Sequence, residues 1–122
     1  MAQVLIVDDA QTDRELMARV VAEAGHQVIV AADGREAISL AKSHMPALIF
    51  LDVVMPNLDG FATCRTLKKD PETAGIPVVL VTTKSGDSDR FWGKKQGADD
   101  HIGKPWTKES IDGVLRRFCG GR

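Results

Sequence analysis

Five short apolar runs recur along the chain, spaced so that a helix fits between each pair: Val4 to Val7, Val28 to Ala31, Ala47 to Leu51, Val78 to Val81, and a weaker one near His101 and Ile102. The strongest are apolar at every position instead of at alternate ones. That is the pattern of strands in a parallel sheet covered on both faces. The stretches between them are amphipathic. The first helix carries Leu16, Met17, Val20, Val21 and Ala24 on its apolar side, opens near Thr12 with Glu15 in the capping-box position, and stops at Gly25. A second follows the Asp33-Gly34 turn with Ala37, Ile38 and Ala41 on one face, and Pro46 bars its extension. A third runs from about Phe61 through Cys64 to Leu67, and a fourth from roughly Asp87 to Gln96 before Gly97. The last sets Ile111, Val114, Leu115 and Phe118 on one face behind a Thr107 cap. Strict strand and helix alternation with short connections implies right-handed crossovers, and so predicts an α/β doubly wound three-layer sandwich.

At 122 residues the chain is expected to form one domain, residues 1–122, with no separate output domain. It is 43% hydrophobic and 27% charged with a formal net charge of −1, which gives no electrostatic reason to expect nucleic-acid binding. No apolar run approaches the roughly 20 residues that span a bilayer, and the N-terminus lacks the features of a signal peptide. A cytoplasmic, monomeric protein without membrane contact is the expectation. Cys64 and Cys119 lie in helical stretches without metal-ligand spacing and read as reduced thiols.

In an open α/β sheet the ligand crevice lies beyond the carboxyl ends of the strands. Asp8 and Asp9 follow the first strand, Asp52 the third, Thr82 and Thr83 the fourth, and Lys104 the fifth. Singly, a carboxylate after a strand is most often a helix cap or a solvated turn. Three together at an apolar sheet edge repel and raise one another's pKa unless cations intervene. Lys104 supplies one positive charge, and a divalent cation such as Mg²⁺ would neutralise what remains. Mg²⁺ favours one or two carboxylates, waters and a phosphate oxygen over an all-protein cage. Asp52 itself ends a fully apolar run and can act as a nucleophile toward a phosphoryl group if metal and lysine neutralise the transferring oxygens. The acyl phosphate then leaves a surplus negative charge for neutral donors such as the Thr82 hydroxyl to absorb.

Taken in order, these residues resemble the receiver domain of bacterial two-component response regulators, over essentially the whole chain. The resemblance implies the flavodoxin-like, CheY-like (βα)5 fold with a parallel sheet of order 2-1-3-4-5. It implies that Asp8 and Asp9 bind Mg²⁺ (Mn²⁺ being able to substitute), with Asp52 and the backbone carbonyl of Val54 completing the protein ligands. Asp52 becomes the phosphoacceptor, Thr82 the switch hydroxyl, Lys104-Pro105 the active-site lysine and its proline, and Met55-Pro56 and Gly60 the loop after the third strand. The phosphodonor is then a histidine kinase. Thr82-Thr83-Lys84 and the stretch Phe91 to Ala98 are most similar to type IV pilus twitching-motility regulators, which implies a chemotaxis-type kinase and a downstream motility or signalling protein. His101 stands where the family usually carries tyrosine or phenylalanine, which leaves two readings of it open, a cap on an exposed strand end and a part in the switch. Phe91, Lys94, Lys95 and Trp106, with His101, are expected on the partner face, and Trp92 in the core. Val54 and Lys84 are placed to screen attacking water. A phosphate sink and a receiver working by contact alone are alternatives within the family. A haloacid dehalogenase-type phosphotransferase would need Asp-x-Asp-x-Thr after the first strand, where this chain has Asp8-Asp9-Ala10-Gln11-Thr12. A nucleotide- or flavin-binding module would need a glycine loop after Val7, and none is present.

Overall fold

The computed structural model describes residues 2–55, 58–83 and 94–120. Its elements are β1 (Gln3–Val7), α1 (Gln11–Glu23), β2 (Gln27–Ala31), α2 (Gly34–His44), β3 (Leu48–Asp52), α3 (Gly60–Lys69), β4 (Val78–Thr82), β5 (Asp100–Gly103) and α4 (Lys108–Phe118). The strands form one sheet in the order β2-β1-β3-β4-β5, and every pairing is parallel. The sheet order and the doubly wound class agree with the sequence expectation.

Successive side chains of a strand point to opposite faces, so an unbroken apolar strand feeds two cores at once. Leu5, Val7, Ile49, Leu51 and Leu80 pack with Ala37 and Ala41 of α2 and Cys64 and Leu67 of α3. Val4, Ile6, Leu48, Phe50, Val79 and Val81 pack on the other side with Met17 and Val21 of α1 and with Ile111, Val114 and Leu115 of α4. β3 and β4 are buried at all positions, and each apolar side chain hidden there contributes roughly 1.5–3 kcal/mol. β5 is half-buried throughout, which accounts for its weak apolar signature.

The helix ends are set locally. The Asp33 and Asp59 carboxylates accept the N–H groups of Glu36 and Ala62 at the starts of α2 and α3. Thr107 caps α4 in a reciprocal capping box with Ser110. Met45, in the left-handed region at φ 48°, ends α2 before Pro46. The start of α1 departs from expectation. It begins at Gln11 with Ala10 as its N-cap and no side-chain cap, because the Asp8 carboxylate takes the Ala10 N–H at 2.9 Å and turns the chain two residues earlier than a Thr12 cap would. Leu16, expected on the buried face, is 48% exposed, since Met17 and Val21 are the α1 side chains that face the sheet. Most of the predicted fourth helix lies outside the described residues, as do Pro56, Lys84, Phe91 and Trp92.

Candidate functional site

The parallel sheet carries the ends of β1, β3, β4 and β5 to one edge. Asp52 is the last residue of β3 and Thr82 the last of β4, and both are buried. Asp8 is buried just past β1, and Asp9 beside it is exposed. Carboxylate oxygens of Asp8, Asp9 and Asp52 lie within 4.8 Å of one another, a spacing that can hold one metal ion. Lys104, just past β5, reaches into the cluster. Its Nζ is 3.0 Å from Asp8 Oδ2, 3.4 Å from Asp13 Oδ2 and 3.6 Å from Asp52 Oδ2. The loop carrying the lysine is tied to β4 by the Lys104 N–H, which donates to the Thr82 carbonyl at 2.9 Å.

The electrostatics show what the cluster lacks. Burial pushes the Asp52 carboxyl up to about 6; Asp8 adds to the rise, Lys104 and the Val54 N–H oppose it, and Asp9 adds a smaller push upward. Burial alone would lower the Lys104 ammonium, yet the hydrogen bond it donates to Asp8 and the charges of Asp52, Asp8 and Asp13 raise it above its ordinary value. Among the described residues one lysine is thus fully committed and the acids remain under-compensated. A divalent cation fits this donor set, because hard oxygens, partial exposure through Asp9 and unbalanced negative charge are what such an ion binds.

Gly60 seats the first turn of α3 against the chain just past Asp52. Its N–H donates to the Val53 carbonyl at 2.8 Å, and a Cβ there would collide with the Asp52 carbonyl oxygen and come within 2.6 Å of Val53 Cα. The Asp52 carboxylate accepts a long 3.4 Å bond from the Val54 N–H, and the Val54 side chain is 59% exposed.

The described residues of the predicted partner face lie along β5 and its flanks. His101 is half-buried in β5 opposite Leu80, Trp106 is half-buried against the core shared by α1 and α4, and Lys94 and Lys95 are exposed. Asp13 was not anticipated. An acid in the first turn of a helix reads as a partner for the helix dipole, and only the fold brings it to Lys104. Beside it a groove of about 530 Å³, lined by Leu16, Arg19, Val20, Thr83, Pro105 and Trp106, opens next to the lysine.

The family described as the response regulator receiver domain matches residues 4–116, nearly the whole chain. The chain belongs to that family. This receiver is 43% identical to Protein PilH of Pseudomonas aeruginosa, over 99% of this chain and 100% of that one. It is 32% identical to Protein PilG of the same organism, over 93% of this chain and 84% of that one. Its fold superimposes on the chemotaxis protein CheY4 of Vibrio cholerae with a TM-score of 0.91 at 32% identity, covering 97% of this chain and 98% of that one. A receiver is a phosphoacceptor in two-component signalling and not a turnover enzyme, so the dehalogenase and nucleotide-binding readings fall away. No helix among the described residues is long and apolar enough to cross a membrane.

Proposed function

We propose that Asp52 of this receiver accepts a phosphoryl group from a histidine kinase of the chemotaxis type, and that the change serves control of type IV pilus motility. The observation that carries the chemistry is the convergence of Asp8, Asp9 and Asp52 with one lysine shared among Asp8, Asp13 and Asp52. An Asp52 oxygen attacks phosphorus, a new P–O bond forms, and the bond from phosphorus to the donor breaks with its electron pair leaving on the donor. Lys104 supplies positive charge to the phosphoryl oxygens, and a preorganised cation in a water-poor site acts far more strongly than one in bulk solvent. Asp8, Asp9, Asp52 and the Val54 carbonyl would hold Mg²⁺ or Mn²⁺, which supplies charge neutralisation to the transferring group. Thr82, buried at the end of β4, offers the neutral donor that the acyl phosphate needs. With His101 in place of the family's usual tyrosine or phenylalanine on β5, the outward relay runs through a smaller, polar side chain.

The motility assignment is supported by the likeness to PilH and PilG. Its test is phosphotransfer from an autophosphorylated chemotaxis-type kinase of a type IV pilus system, followed by label on this chain. Rapid transfer to wild type and none to Asp52→Asn is expected. Failure with that kinase, alongside rapid transfer from a kinase of another system, would reassign the pathway and leave the receiver chemistry standing.

A further inference from the structure

Three carboxylates share the Lys104 ammonium, and one of them stands apart. Asp8 and Asp52 are buried and belong to the cluster that can hold a metal ion. Asp13 lies outside that cluster, in the first turn of α1, with its side chain 48% exposed. Its Oδ2 is 3.4 Å from Lys104 Nζ, and among the described residues Lys104 is the only hydrogen-bond or ion-pair partner of this carboxylate. It caps no helix, since α1 opens behind Ala10 with no side-chain cap. The Arg14 guanidinium, next in sequence, donates instead to the Asp8 carbonyl oxygen at 2.8 Å. Asp13 and Lys104 both line the groove of about 530 Å³ that opens beside the site.

A negative charge in this place acts on phosphoryl transfer in one direction. An incoming phosphodonor adds negative charge to a site already short of cations, and its oxygens need the ammonium that Asp13 holds in part. Asp8 and Asp52 draw Lys104 into the cluster, while Asp13 draws it toward the groove.

We propose that Asp13 is a positioning residue that sets donor selectivity. By sharing Lys104 and keeping a negative charge beside it, Asp13 slows phosphorylation of Asp52 by free anionic donors, and slows it more as the donor becomes more negative. The inference rests on Asp52 being the phosphoacceptor. Two small donors separate the effect of charge from that of the group transferred. Acetyl phosphate is a dianion at neutral pH, and phosphoramidate carries one net negative charge. With the first, an Asp52 oxygen bonds to phosphorus while the bond from phosphorus to the acetyl oxygen breaks, its electron pair leaving on acetate. With the second, the P–N bond breaks and its pair leaves on ammonia. Both leave the same acyl phosphate on Asp52, so the charge of the donor is what Asp13 can discriminate.

The test is the rate of phosphoryl uptake by the full chain in Mg²⁺, read by intact mass, for wild type, Asp13→Asn and Asp13→Glu. Each is run with both donors, at low and at high salt. Asp13→Asn is expected to react with acetyl phosphate roughly two- to five-fold faster than wild type at low salt, the span of a partly exposed charge pair. The gain should be smaller with phosphoramidate and fade for both donors in about 0.5 M salt, where exposed charges are screened within a few ångströms. Asp13→Glu keeps the charge and should bring back the wild-type rate and salt dependence. A merely structural role for Asp13 would follow neither donor charge nor salt. In EDTA and without any donor, the Lys104 ammonium nitrogen resonance should shift in Asp13→Asn and stay closer to wild type in Asp13→Glu.

Equal rates for wild type and Asp13→Asn, or a gain indifferent to donor charge and salt, overturn the inference and leave Asp52 as the phosphoacceptor. An unmoved Lys104 resonance overturns it as well. No uptake by any of the three proteins from either donor would sink the phosphoacceptor reading and this inference with it. Asp13→Ser removes the same charge and decides the matter should Asp13→Asn fail to fold.

Discussion

Gly60→Ala is expected to destabilise the protein by about 3 kcal/mol or more, among the largest losses a single methyl group can cause. The added carbon would run into the Asp52 carbonyl oxygen and lie 2.6 Å from Val53 Cα, and both are backbone atoms fixed by the β3–β4 ladder. No side chain can rotate away to make room. Relief requires the first turn of α3 to lift from the sheet, which stretches the 2.8 Å bond from the Gly60 N–H to the Val53 carbonyl and shifts the chain on which Asp52 sits. Gly75→Ala is the matched control, because nothing lies within 4 Å of the Cβ it would add. Urea denaturation of the two variants should show a large fall in midpoint for Gly60→Ala and a change within about 1 kcal/mol for Gly75→Ala. A loss under about 1 kcal/mol at Gly60 would mean that α3 is not seated as described.

Asp52→Asn is expected to stabilise the metal-free protein above pH 6, by about 2–3 kcal/mol as an upper figure. Burial and the neighbouring acids raise the Asp52 carboxyl from 3.8 to about 6 in the folded state. A raised carboxyl binds its proton more tightly when folded, so folding is penalised wherever the unfolded chain has already released that proton. The penalty is absent below about pH 4, grows through the interval up to about 6, and is complete above it. Asparagine is neutral at every pH and escapes it. Chemical denaturation in EDTA at pH 8 should therefore favour Asp52→Asn, with the gap closing as pH approaches 4. Millimolar Mg²⁺ should reverse the order at pH 8, because an ion that binds only the folded state stabilises by mass action and the wild type offers one more carboxylate. Wild type more stable than Asp52→Asn at pH 8 in EDTA would contradict the charge balance assigned to the site.

The layout of this fold is legible in the chain because parallel strands buried on both faces leave an unmistakable mark. Leu48 to Leu51 and Val78 to Val81 are apolar at every position, and every one is buried. Signals of short range also read well where one residue decides the geometry, as at the Thr107 cap and at Pro46, which closes α2. The start of α1 was less legible, since the Asp8 carboxylate serves a backbone N–H and Lys104 at once, and no local pattern announces a side chain with two tasks. Asp8, Asp9, Asp52, Thr82 and Lys104 could be gathered from sequence through one topological rule, that strand ends of a parallel sheet share an edge. Asp13 escaped because it sits on a helix and reaches the cluster only through the packing of α1.

The central claim is that Asp52 is a nucleophile whose neighbours require a divalent cation. Its most direct test is intact-mass measurement after incubation with acetyl phosphate, in Mg²⁺ or in EDTA, for wild type and Asp52→Asn. The account predicts one added phosphoryl group on wild type in Mg²⁺, and none on wild type in EDTA or on Asp52→Asn in either condition. Equal uptake by Asp52→Asn, or uptake by wild type that persists in EDTA, would contradict it.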